Sequence, residues 1–153
     1  MIDAVIRKGV PADIPVMLTI WRRAVEKSHA FLTQKDVDDL VPEAKEGLGK
    51  METWIAEADG QATGFMAMNG NMIEALFVAP DRMGMGVGSI LIRHATAIRG
   101  PGAAIRVDVN EENPDALGFY LSRGFVRIGR SETDSAGRPW PLIHLLLPSD
   151  AKQ

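Results

Sequence analysis

The 153-residue chain contains no cysteine. That absence excludes a disulfide framework, a thiolate nucleophile, a cysteine-ligated zinc or iron–sulfur site and an acyl-cysteine intermediate. Aromatic residues are scarce, at 6%, and there is one tyrosine. An excess of either charge is missing too: 17 Lys and Arg against 20 Asp and Glu give a net charge of −3. Such a balance supplies no general field for nucleic acid or anionic lipid, so neither is an expected partner. No apolar run approaches the ~20 residues that span a bilayer, and the opening Met-Ile-Asp-Ala-Val-Ile-Arg-Lys-Gly has no secretory apolar stretch; a cytoplasmic protein without membrane attachment is the expectation. What is present, 46% hydrophobic and 24% charged residues without repeats or linkers, reads as one folded domain over 1–153.

Residues 2–7 read as a strand. Ile14, Met17, Leu18, Trp21, Val25 and Ser28 then follow the 3, 4, 7 spacing of an amphipathic helix, with Asp13 and Pro15 suited to its first turn. Thr33 and Asp36 form a capping-box pattern that opens a second, short helix containing Val37, Leu40 and Val41. Pro42, Gly47 and Gly49 are expected to break it. From Met51 to Val78 the period changes to that of strands, in three runs separated by Asp59-Gly60 and Gly70-Asn71 turn pairs. A glycine loop, a helix from about Gly88 to Arg99, a strand at Ala104–Val109, a helix at Pro114–Arg123 and strands near Val126–Glu132 and Leu142–Leu147 complete the chain. This order predicts a mixed α/β (α+β) fold in which helices cover a largely antiparallel sheet.

The chemistry-bearing stretch is Leu76-Phe77-Val78-Ala79-Pro80-Asp81-Arg82-Met83-Gly84-Met85-Gly86-Val87-Gly88-Ser89, a strand running through alternating glycines into a helix. Glycine lets main-chain N–H groups approach a ligand, and a helix start presents N–H groups and partial positive charge, so the loop suits phosphate. A P-loop would need a lysine, which the loop lacks. A dinucleotide-binding turn would need glycine where Ser89 stands, although Asp108 lies at the distance of a ribose-binding acid. A turn that binds nothing is a further alternative.

Val78-x-Pro80-x-x-x-Gly84-x-Gly86-x-Gly88, followed by Asn113-x-x-Ala116-x-x-Phe119-Tyr120-x-x-x-Gly124-Phe125, resembles the Gcn5-related N-acetyltransferase (GNAT) family. The tail from Gly129 to Leu142, with Trp21, His29, Phe31 and Leu32, resembles a bacterial subgroup of small GNAT proteins. One departure is visible: the family usually has Arg or Gln before the first glycine, whereas here Met83 stands there and Arg82 lies one residue earlier.

The resemblance implies a central sheet with helices on both faces and acetyl-CoA as co-substrate, its pyrophosphate on the N–H groups of Met83, Gly84, Met85, Gly86, Val87, Gly88 and Ser89. Arg82 would reach an outer phosphate, and the pantetheine arm would run beside Leu76, Phe77 and Val78. Asn113 belongs to the second motif of the cofactor side. Tyr120 occupies the position that protonates the departing thiolate. For the base, Glu74 shares a strand face with Leu76 and Val78 by period two; His29 or water are the alternatives. Trp21, His29 and Phe31 are the expected acceptor-side residues, and the acceptor is a primary amine of a small molecule or peptide. His94 continues a helical stripe and reads as structural, His144 points away from Ile143 and Leu145, and three scattered histidines make no metal site. The family also makes a homodimer an open expectation. A non-catalytic acyl-CoA-binding sensor of the same fold is the second functional class.

Overall fold

The computed structural model describes residues 5–28, 32–100 and 102–149. Seven strands are hydrogen-bonded in the order β1-β2-β3-β4-β5-β7-β6. They are β1 (Val5–Lys8), β2 (Glu52–Ala58), β3 (Gln61–Asn69), β4 (Met72–Val78), β5 (Ile105–Asn110), β6 (Val126–Ser131) and β7 (Leu142–Leu147). The helices are α1 (Ile14–Ser28), α2 (Gln34–Lys50), α3 (Val87–Arg99) and α4 (Pro114–Ser122). Pairing is antiparallel at β1–β2, β2–β3, β5–β7 and β6–β7 and parallel at β4–β5, the mixed and largely antiparallel sheet expected from the order of elements. Two compact units divide the chain: Met1–Asn69 with Glu74–His94, and Gly70–Ile73 with Ala95–Gln153.

In the first unit the period of two sorts the residues of β2 and β3 onto two faces. Ile55 lies opposite Phe65 and Thr53 opposite Ala67, while Trp54 lies opposite Met66 and Ala56 opposite Gly64. Ile55, Phe65 and Ala67 build one core with Met17 and Ile20 of α1 and Leu48 of α2. The other face meets α3, where the His94 ring stands edge-on to Trp54 with centroids 4.4 Å apart. Helices therefore cover both faces of this part of the sheet. The entry to α1 is tied down by Asp13, whose carboxylate accepts two hydrogen bonds from the Arg7 guanidinium, at 2.8 and 2.9 Å, and one from the Val10 N–H at 2.8 Å. Arg7 holds the Asp13 carboxyl at about 2, well below the usual carboxylate range.

Gly64 fixes how the end of β4 and the start of α3 approach β3. A Cβ at this position would stand 2.9 Å from the Phe77 carbonyl oxygen and 2.9 Å from a Val87 methyl. Ala79 leaves β4 with its N–H bonded to the Thr63 carbonyl at 2.8 Å, so the chain enters the glycine loop from a fixed point.

In the second unit Ile105, Val107 and Val109 of β5 lie opposite Leu147, Leu145 and Ile143 of β7. Five of these six are buried, on one face of the strand pair, and Leu147 is half-buried. Asp108 and His144 lie opposite each other on the other face. Asn113 caps α4, its Oδ1 accepting the Ala116 N–H at 3.2 Å.

One element departs from the sequence expectation: α2 does not stop near Pro42 but runs from Gln34 to Lys50. The capping box at Thr33 and Asp36 is present, and the stripe Val37, Leu40, Ala44 and Leu48 continues past the proline. A lost N–H bond and ring crowding cost ~3 kcal/mol in a helix interior, and burial of a stripe four side chains long outweighs that. Pro42 is exposed, with its ring directed away from the core.

Two outcomes are expected. Pro42→Ala, measured by urea unfolding, raises stability by up to ~3 kcal/mol because the helix it interrupts is already formed; a loss of stability would show that the proline is built into the native α2. Gly64→Ala forces apart groups that cannot both stay, and a destabilisation of roughly 1–3 kcal/mol in the same assay is the expected cost of overpacking.

Candidate active site

β4 ends in a short 3-10 turn, Pro80–Arg82, and α3 begins at Val87. Gly84 and Gly86 take φ of +80° and +83°, a left-handed region that costs other residues roughly 1–2 kcal/mol each. A Cβ on either would meet nothing within 4 Å, so what selects glycine here is backbone conformation, and the main chain of the loop is open to a ligand. The first bond of α3 runs from the Ile90 N–H to the Gly86 carbonyl at 3.1 Å. The N–H groups of Val87, Gly88 and Ser89 precede it, at the positive end of the helix dipole. Arg82 is half-buried, and its guanidinium lies 3.4 Å from the Gln61 amide oxygen. Met83 and Met85 are exposed. The loop is a fit for a pyrophosphate group, with main-chain donors as the primary contacts.

Also within the first unit, a pocket of about 340 Å³ is lined by Trp21 of α1, Leu40, Ala44 and Leu48 of α2, Phe65 of β3, and Ala75 and Phe77 of β4. Two carboxylates, Glu43 and Glu74, stand in this apolar lining. An apolar wall with two acids suits a cationic group carried on an aliphatic stem. Trp21 both packs against the core and lines the pocket, so it serves as core and wall together. Glu74 is exposed at the pocket, Ala75 and Phe77 pack on the core, and Leu76 and Val78 are half-buried. His29 and Phe31 lie outside the described residues.

In the second unit Tyr120 is buried between Phe119 and Phe125, with ring centroids 5.1 and 5.2 Å away in edge-on contacts. Burial raises its phenol pKa well above the ordinary value, so the hydroxyl keeps its proton across the neutral range. Asn113 is also buried, and its side-chain oxygen is used in the α4 cap, so its visible role is to start the helix that carries Tyr120. His94 is structural: burial lowers its pKa, and its ring packs on Trp54.

Sequence reading missed three features. Glu43 falls on the Leu40–Ala44–Gly47 side of α2, a signal hidden by the expected break at Pro42. Gly64 carries no local signal, since only the packing of β4 and α3 shows what its missing side chain admits. Asp108 does not stand free as a ribose acid: its carboxylate is bonded to the His144 Nδ1 at 2.6 Å.

The fold and loop agree with what the chain is similar to. An acetyltransferase (GNAT) domain model matches residues 49–127. A peptidyl-lysine N-acetyltransferase YjaB of Salmonella typhimurium is 38% identical over 144 residues, covering 94% of this chain and 97% of that protein. YjaB of Escherichia coli is 38% identical over 142 residues, covering 92% and 94%. The solution structure of its apo form superposes with a TM-score of 0.86 at 35% identity, over 95% of this chain and 97% of that one. With a phosphate-fitting glycine loop between β4 and α3, and that loop inside the matched domain, the chain belongs to the GNAT family of acetyltransferases.

Proposed function

We propose that this acetyltransferase moves the acetyl group of acetyl-CoA to the side-chain amine of a peptide lysine, by direct attack and with the whole chain acting as one acetyltransferase domain. The observation that carries the reading is the open main chain at Gly84 and Gly86 leading into the N-terminus of α3. The acceptor class is supported by the pocket, whose apolar lining and two carboxylates match a four-carbon stem with an ammonium head, and by the peptidyl-lysine activity named for the relatives at 38% identity.

Each residue then has a task. The N–H groups from Met83 to Ser89 hold pyrophosphate, with Arg82 as an outer cation. The Leu76–Val78 main chain aligns the pantetheine arm, and an N–H near Val78 polarises the thioester carbonyl, a preorganised donor worth ~3 kcal/mol at the transition state. Acetyl-CoA supplies an acyl group already activated as a thioester. Trp21 walls the acceptor stem. Glu74, exposed at the pocket, takes the proton from an ammonium whose free pKa is about 10.4; Glu43 shares the positive charge. Tyr120, kept protonated by burial, returns a proton to the departing thiolate.

Tyr120→Phe is expected to keep acetyl-CoA affinity within about twofold and lose at least tenfold in kcat, since a positioned acid contributes ~100-fold or more. Full turnover would remove Tyr120 from the mechanism. Glu74→Gln is expected to lower kcat/KM on lysine peptides and to alter the pH–rate profile; an unchanged profile would transfer the base role to His29 or water. Release of CoA thiol is the readout, free of protein background because the chain has no cysteine. Thermal stabilisation by acetyl-CoA without thiol release over a panel of lysine peptides and small amines would favour the sensor instead.

A further inference from the structure

The second unit holds a group of residues that the acetyltransfer mechanism does not use. His144 of β7 is bonded on both ring nitrogens: Nδ1 lies 2.6 Å from the Asp108 carboxylate of β5, and Nε2 lies 2.6 Å from the Ser131 hydroxyl of β6. A carboxylate accepts, so Nδ1 carries the proton and donates to Asp108, which leaves the Nε2 lone pair to accept from the Ser131 O–H. The order is therefore serine to histidine to aspartate, with each proton already directed along the chain of bonds. Three adjacent strands fix it. Asp108 and His144 are direct partners in the antiparallel β5–β7 register, and Ser131 stands at the last pair of the β6–β7 register, with Leu142. The side chains of His144 and Asp108 keep 23% and 30% of their surface exposed, and Ser131 is half-buried, so a ligand in solvent has access.

We propose that Ser131, His144 and Asp108 form a second acyl-transfer site, in which the Ser131 hydroxyl is a nucleophile toward small activated acyl esters. This site is independent of the acetyl-CoA reading above. Nucleophile, base and orienting carboxylate are recognised by geometry and role and recur on unrelated folds. In the first half-reaction Ser131 Oγ forms a bond to the acyl carbon, its proton passes to His144 Nε2, and the bond to the leaving alcohol breaks as that oxygen takes the proton from His144. In the second half-reaction water attacks the acyl-serine ester, giving its proton to His144 and thence to Ser131 Oγ as the carboxylic acid leaves. Asp108 keeps its charge throughout and stabilises the imidazolium.

The test is covalent labelling of the full chain by a fluorophosphonate probe, with peptide mapping by mass spectrometry, alongside hydrolysis of p-nitrophenyl acetate. One adduct on Ser131 is expected, absent in Ser131→Ala, together with ester hydrolysis that falls about 100-fold in His144→Gln and at least tenfold in Asp108→Asn. Circular dichroism melts of the three variants separate loss of folding from loss of nucleophile, and Ser131→Ala removes a single oxygen. The proposal is overturned if folded wild-type chain takes no label at Ser131, or if folded His144→Gln labels there as fast as the wild type.

Discussion

The absence of a side chain at Gly64 is the constraint on which the candidate site depends. β3 presents there a surface one hydrogen deep, and the Phe77 carbonyl of β4 and the Val87 methyl at the start of α3 both come within 2.9 Å of the place a Cβ would take. Interiors are packed closely enough that one methyl is felt. The end of a strand and the beginning of a helix are thereby held against the same point of β3, and the few residues between them must turn within that span. Gly84 and Gly86 make the turn with positive φ, and the N–H groups at the start of α3 follow from it.

The chemistry around that loop divides between main chain and side chain for an electrostatic reason. A pyrophosphate is held well by N–H dipoles that cost no counter-charge, which explains how a family member functions with Met83 where an Arg or Gln usually stands. The proposed amine acceptor is a cation before it reacts, and the pocket's lining, apolar apart from Glu43 and Glu74, is chemically suited to it. Tyr120 lies at the opposite extreme, an uncharged phenol whose pKa burial among aromatic rings raises further above its ordinary value.

Much of the fold is legible in local pattern. Period-two alternation and the Asp59-Gly60 pair mark β2 and β3 because one period and one turn type are enough to specify a hairpin. The glycine loop is legible for the same reason: its glycines, the strand before and the helix after are contiguous in sequence. α2 misleads because two local rules conflict. Pro42 argues for a break, whereas the stripe Val37, Leu40, Ala44 and Leu48 argues for continuation, and burial decides for the stripe. Glu43 is lost with that error, since a helix ended at Pro42 never carries it to the pocket.

By itself the sequence determined the order of elements, the phosphate-fitting loop, the exclusion of cysteine chemistry and the family. All of these depend on residues close in the chain, where spacing translates directly into geometry. Only the tertiary structure decided which distant residues meet. Asp108 and His144 are 36 positions apart, and neither residue carries a sign of the other until the antiparallel register of β5 and β7 sets them opposite. Ser131 joins them through the β6–β7 register, where a slip of one residue would turn its side chain to the other face. Glu43 and Glu74 likewise come together only because α2 and β4 line one cavity. Registers and helix packing are settled by the burial of whole faces, a sum over many side chains that no short motif contains.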